Sequence, residues 1–109
     1  MEHPSLAGQV CIVTGASSGL GRATSVALAG RGAVVVVNHS PRSGSREKAA
    51  AVVREIALSG GTAVAIEANI ANEEEVEGMV ADTVHRFGTV RILIANAGIE
   101  LLPVSRTPG

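Results

Sequence analysis

Three glycines stand close together in Thr14-Gly15-Ala16-Ser17-Ser18-Gly19-Leu20-Gly21. A glycine has no side chain to react, so the chemistry on offer is binding by backbone N–H groups. The apolar run Val10-Cys11-Ile12-Val13 leads in, and an alanine-rich helical pattern over 22–29 leads out. A strand, a glycine turn and a helix in that order make a cradle for phosphate oxygens. The first N–H groups of the helix have no partner within it, and the positive end of its dipole attracts anions. Gly15 permits a sharp turn off the strand. Gly19 and Gly21 leave the helix start bare, so a pyrophosphate can approach it. The alternative is a tight turn with no ligand. A phosphotransferase P-loop is excluded for this turn, because no Gly-Lys-Ser/Thr follows it.

Other candidates lie where apolar runs end. Asn38-His39-Ser40-Pro41-Arg42 follows a run of valines and contains no acid. In a dinucleotide-binding fold an acid at this place accepts the ribose hydroxyls and repels a 2′-phosphate. Here Asn38 and Ser40 are neutral hydrogen-bonding groups. Arg42 or Arg46 is placed to pair with a phosphate, or else both are solvating charges of a loop and a helix start. The expected cofactor is NADP or NAD, with NADP favoured. His39 is expected to line an adenosine pocket. Asn69-Ile70 offers an amide for an adenine edge and an aliphatic group for the ring. Asn96-Ala97-Gly98 is small enough to leave room for a sugar-phosphate chain. His3, His39 and His85 are scattered, and no metal-ligand spacing occurs, so no metal is expected. Glu73, Glu74 and Glu75 read as a solvated helix start. Cys11, the single cysteine, reads as a small buried hydrophobe.

Seven elements must position these residues. Strands are predicted over 9–13, 33–37, 62–68 and 90–95. The first helix carries Leu20, Ala23, Thr24, Ala27 and Leu28 at helical spacing and stops at Gly30 and Gly32. The second, over 46–58, buries Ala49, Val52, Val53, Ile56 and Ala57. The third is capped by Asn72, with Glu75 as reciprocal partner. It buries Val76, Val80, Val84 and Phe87 and ends at Gly88. A loop over 38–45 separates the second strand from the second helix. Four consecutive valines, Val34 to Val37, cannot alternate between core and water, so both sheet faces must be covered, as in a parallel sheet. Right-handed crossovers then give an α/β, Rossmann-type doubly wound parallel sheet of order 3-2-1-4. The glycine turn falls at the switch point between the first and fourth strands.

The chain has 109 residues, 46% of them hydrophobic and 17% charged, which fits one soluble globular domain over 1–109. The net charge of −1 provides no field for nucleic acid or anionic lipid, and with no Trp, no Tyr and one Phe there is no stacking surface for single strands. No signal pattern or membrane-length stretch occurs, and the cytoplasm is the default location.

The chain resembles the short-chain dehydrogenase/reductase family over about 6–103. Residues 14–21 match its TGxxxGxG turn, rather than the GxGxxG of other dinucleotide binders or a methyltransferase-type fold. Asn96-Ala97-Gly98 matches its NAG element, and Phe87-Gly88 stands where members often carry that pair. The resemblance implies that Ser17, Leu20, Asn69 and Asn96 contact the cofactor. The cofactor-binding candidates are thus Gly15, Ser17, Ser18, Gly19, Leu20 and Gly21 in the turn, and Asn38, His39, Ser40 and Arg42 after the second strand. Asn69 and Ile70 follow the third strand, and Asn96, Ala97 and Gly98 the fourth. Asn69 departs from the family's usual Asp, and Ala95 from a frequent Asn. Asn38-His39-Ser40 with Ile99-Glu100 is most similar to the glucose 1-dehydrogenase branch.

The family's reaction is hydride transfer between a nicotinamide cofactor and an alcohol or carbonyl substrate, with a sugar as one candidate here. Its acid/base Tyr and the Lys beside it follow the NAG element. This chain has no Tyr, and its only Lys is Lys48, so no catalytic residue is assigned. The expectation is the cofactor-binding portion of an oxidoreductase that stops before the catalytic half and is inactive alone. The full-length form is expected to be a homodimer or homotetramer. The alternative is a non-catalytic nucleotide-binding module.

Overall fold

The computed structural model describes residues 5–17 and 19–95. Strands β1 (Val10–Thr14), β2 (Val34–His39), β3 (Thr62–Glu67) and β4 (Val90–Ala95) alternate with helices α1 (Gly19–Gly30), α2 (Ser45–Leu58) and α3 (Glu73–Phe87). The four strands pair in parallel in the order β3-β2-β1-β4, the Rossmann-type order that the sequence predicts. The valine run explains the layering. Val35 and Val37 pack with Cys11, Val13, Ala49, Val52 and Ile56 on the face that α1 and α2 cover. Val36 packs with Ile12, Ala68 and Met79 on the face that α3 covers. Burial of both faces is the main driving force for this fold.

Three features differ from the sequence expectation. First, β2 runs two residues further, through Asn38 and His39, because β3 continues alongside with Asn38 opposite Ile66 and His39 opposite Glu67. Secondly, of Leu20, Ala23, Thr24, Ala27 and Leu28 on α1, Leu28 is half-buried against the core while Leu20, Ala23 and Ala27 are exposed. Gly21, Ser25 and Ala29 are its buried residues, and Leu20 is 74% exposed. Small residues let the helix lie close to the sheet, and the Ser25 hydroxyl is satisfied locally by donating to Gly21 O at 2.9 Å. Thirdly, α3 keeps part of its expected stripe, with Val80 and Phe87 half-buried against the core, but Met79 and Thr83 are its buried residues and Val84 is 45% exposed. Thr83 is tolerated in the core because its hydroxyl donates to Met79 O at 2.8 Å.

On α2 the buried residues are Ala49, Val52 and Ile56, with Val53 half-buried and Ala57 exposed. β4 pairs with β1 at one margin of the sheet, and Leu93, opposite Ile12, is 57% exposed on the α3 side. Among the described residues, no helix is long and apolar enough to cross a membrane.

Candidate functional site

The site is built at the carboxyl edge of the strands, where the strand order reverses between β1 and β4. Thr14 ends β1 beside Ala95, and its hydroxyl donates to Ile94 O at 3.3 Å, tying the two strand ends together. The chain then turns through Gly15 at φ 60°, in the left-handed region where a side chain is strained. Ala16 is buried beneath the turn and Ser17 is half-buried.

The three glycines do different work. Gly19, the first residue of α1, also has a left-handed φ of 59°, and a Cβ there would meet nothing within 4 Å. The mouth of the helix is therefore open. No acidic side chain lies in the first turn of α1 to compete for its dipole. Gly21 is not bare, contrary to expectation: it is buried against the turn. A Cβ there would collide with Gly15 O and stand 2.8 Å from Ala16 Cα. Its role is close packing of helix on turn.

Asn38 also differs from its expected role as a ribose ligand. It is 1% exposed. Its Oδ1 accepts from Gly15 N–H at 3.4 Å, and its Nδ2 lies 3.3 Å from each of His39 O, Ile66 O and Ala68 O. Its own carbonyl accepts from Ala16 N–H at 3.0 Å. His39 is 4% exposed, and its Nδ1 lies 3.1 Å from Ser40 O. It lines a cavity of about 390 Å3 with Arg46, Ala50, Ala65 and Glu67, beside α2. The Asn69 cavity, where an adenosine pocket was expected, does not include it.

The residues that do converge are Ser40, Arg42, Asn69 and Ile70. Ser40, Pro41, Arg42 and Asn69 line a cavity of about 330 Å3. A smaller one of about 90 Å3 is lined by Gly15, Asn38, Ser40, Ala68, Asn69 and Ile70. The Ser40 hydroxyl shapes its loop: it lies 3.1 Å from Ser45 Oγ and accepts from Arg42 N–H at 3.3 Å. The Arg42 guanidinium has no hydrogen-bond or ion-pair partner among the described residues. Asn69 Oδ1 accepts from Ala71 N–H at 3.0 Å, closing a tight turn.

The capping motif is present with one changed partner. Asn72 Oδ1 accepts from Glu75 N–H at 3.1 Å. Glu75 Oε1 accepts from Asn69 N–H at 2.8 Å, not from Asn72, whose N–H donates to Asn69 O. Glu75 thereby braces the end of β3, a role that its place in the capping motif hinted at without naming the partner. Burial pushes the Cys11 thiol above its ordinary pKa, consistent with a packing residue. Among the described residues, no three His, Cys, Asp or Glu side chains come together. Ser18, Asn96, Ala97 and Gly98 lie outside the described residues.

Comparison with known proteins agrees with this geometry. The model of the family described as short chain dehydrogenase matches residues 9–108. A 3-oxoacyl-[acyl-carrier-protein] reductase of Synechocystis sp. is 46% identical over 94 residues, 86% of this chain and 37% of that protein. A dehydrogenase/reductase from Sinorhizobium meliloti superposes with a TM-score of 0.81 at 42% identity, over 87% of this chain and 36% of that one. A metagenomic short-chain oxidoreductase in complex with NADP superposes with a TM-score of 0.79 at 35% identity, over 88% of this chain and 42% of that one. The chain thus spans well under half the length of these relatives.

Proposed function

The chain belongs to the short chain dehydrogenase family, and from that premise we propose that it is the NAD(P)-binding part of an oxidoreductase acting on an alcohol or carbonyl compound. The observation that supports this best is the open mouth of α1. Gly19 leaves space at the helix start, Gly21 seats the helix on the turn, and no carboxylate stands in the first turn. These residues fit a dinucleotide's linked phosphates, which the unpartnered N–H groups of the first helical turn would hold. Ser17, Ser18 and Leu20 would add further contacts to the cofactor. Asn69 and Ile70 would receive the adenine, and Asn96, Ala97 and Gly98 would flank the sugar-phosphate chain.

A bound nicotinamide would supply or accept the hydride. These 109 residues would bind and orient it and take no part in proton transfer. They contain no Tyr, and Lys48, their only lysine, lies on α2. The acid/base groups and the substrate pocket belong, on this reading, to a longer protein. A sugar is one candidate substrate.

NADP is the favoured cofactor. No acid occurs over 38–42, and the Arg42 guanidinium, without a partner among the described residues, lines the cavity beside Ser40 and Asn69. Titration with NADPH and NADH tests both levels of the reading. We expect NADPH to bind about tenfold more tightly, and Arg42→Ala to remove most of that difference. Equal affinities in the wild-type chain would refute the NADP preference. Absence of binding by either would refute the function.

A further inference from the structure

We infer that Asn38 is a positioning residue for the dinucleotide site, fastening the glycine turn to the ends of β2 and β3 without touching the ligand itself. The inference rests on the dinucleotide reading of the site. Asn38 is buried and borders the small cavity beside Asn69, but its amide is occupied on both sides. Oδ1 accepts from Gly15 N–H, while two Nδ2 protons face three carbonyls, those of His39, Ile66 and Ala68. Its backbone carbonyl accepts from Ala16 N–H. One residue therefore holds two successive amides of the turn.

Each side-chain contact is long, at 3.3–3.4 Å, so the effect lies in the set rather than in any one bond. The mechanical chain from Asn38 to the phosphate cradle is short. Asn38 holds Gly15 and Ala16. Gly21 packs on the same two residues with no room to spare. The position of the turn therefore sets the height of α1 and where its first N–H groups point. Among side chains of this length, only an amide offers both an acceptor and two donors: aspartate lacks the donors and leucine lacks both.

The test uses the 109-residue chain and three variants, Asn38→Ala, Asn38→Asp and Val10→Ala. Val10→Ala trims a buried valine at the end of β1 opposite the turn and controls for lost stability. The readouts are hydrogen exchange at the Gly15 amide and the dissociation constants of ADP and adenosine. ADP carries the pyrophosphate, and adenosine only base and ribose. Asn38→Ala should expose Gly15 to exchange and weaken ADP by about tenfold, the equivalent of one well-placed hydrogen bond. Adenosine should change by less than ADP does, and both ligands by less than about twofold in Val10→Ala, since distant sites act independently.

Asn38→Asp keeps an oxygen for Gly15 N–H. It also sets an acceptor against the carbonyls of His39, Ile66 and Ala68, so it should keep more Gly15 protection than Asn38→Ala while still weakening ADP. If neither variant folds, slow exchange of the Asn38 side-chain amide in the wild-type chain carries the test, and fast exchange there would overturn the inference. Equal losses for ADP and adenosine would place the effect on the adenosine side of the site and would overturn the inference. So would unchanged Gly15 exchange in Asn38→Ala, or failure of Asn38→Asp to protect Gly15. A folded wild-type chain that binds neither ligand, with Gly15 protected, would overturn the dinucleotide reading and with it the positioning role.

Discussion

Replacing Gly21 with alanine adds one methyl group where α1 meets the turn. That methyl would run into Gly15 O and stand 2.8 Å from Ala16 Cα and 3.0 Å from Gly15 C. All three are backbone atoms, so no side chain can swing aside, and the helix must lift. Overpacking of this kind costs about 1–3 kcal/mol. Alanine's higher helix propensity offsets about 1 kcal/mol of it. With only backbone in the way the cost lies toward the top of its range, leaving a net loss of about 2 kcal/mol. At this chain length, that lowers Tm by about 8–16 °C.

Gly78 is the internal control. It lies inside α3, is exposed, and would present a Cβ to open space. The same substitution there should stabilise by about 0.5–1 kcal/mol. Urea and thermal unfolding followed by circular dichroism would measure both, with an unchanged urea m-value showing that stability alone has moved. A Gly21→Ala chain as stable as wild type would refute the close seating of helix on turn. A loss in Gly78→Ala equal to that in Gly21→Ala would refute the assignment of the cost to the contact.

Two further outcomes follow from the helix cap and the buried thiol. Asn72→Ala removes the acceptor for Glu75 N–H and should cost about 1 kcal/mol, seen as a lower urea midpoint; no change would show that water replaces the cap. The Cys11 thiol, with its pKa raised by burial, stays protonated in the folded chain while the unfolded chain ionises. Above its ordinary pKa the unfolded state therefore binds fewer protons, and stability falls as pH rises. Urea midpoints between about pH 8 and about pH 10 should show that fall, and Cys11→Ala should flatten it.

Much of the architecture was legible in the chain itself. Val34 to Val37 implies a sheet covered on both faces, and Val35, Val36 and Val37 are wholly buried. The spacing of Gly15, Gly19 and Gly21 places a turn between β1 and α1, and Asn72 marks the start of α3. Each of these signals is local, because backbone freedom, capping and periodicity act over a few residues.

What only the tertiary structure decided is which surface each element meets. The apolar spacing on α1 and α3 finds Leu28, Val80 and Phe87 half-buried against the core, but close packing sets Gly21, Ser25 and Ala29 on α1 and Met79 and Thr83 on α3 innermost. Two of these residues are hydroxylated and carry no apolar signal; each enters the core by bonding back to its own helix. The polar Asn38 and His39 carry a loop signal, yet pairing with β3 draws them into the sheet. Asn38 faces Gly15, Ile66 and Ala68, residues 23 to 30 positions away, and Glu75 reaches Asn69 rather than the expected Asn72. A polar side chain's type states how many bonds it must make, whereas its partners depend on which distant strand end packing brings alongside.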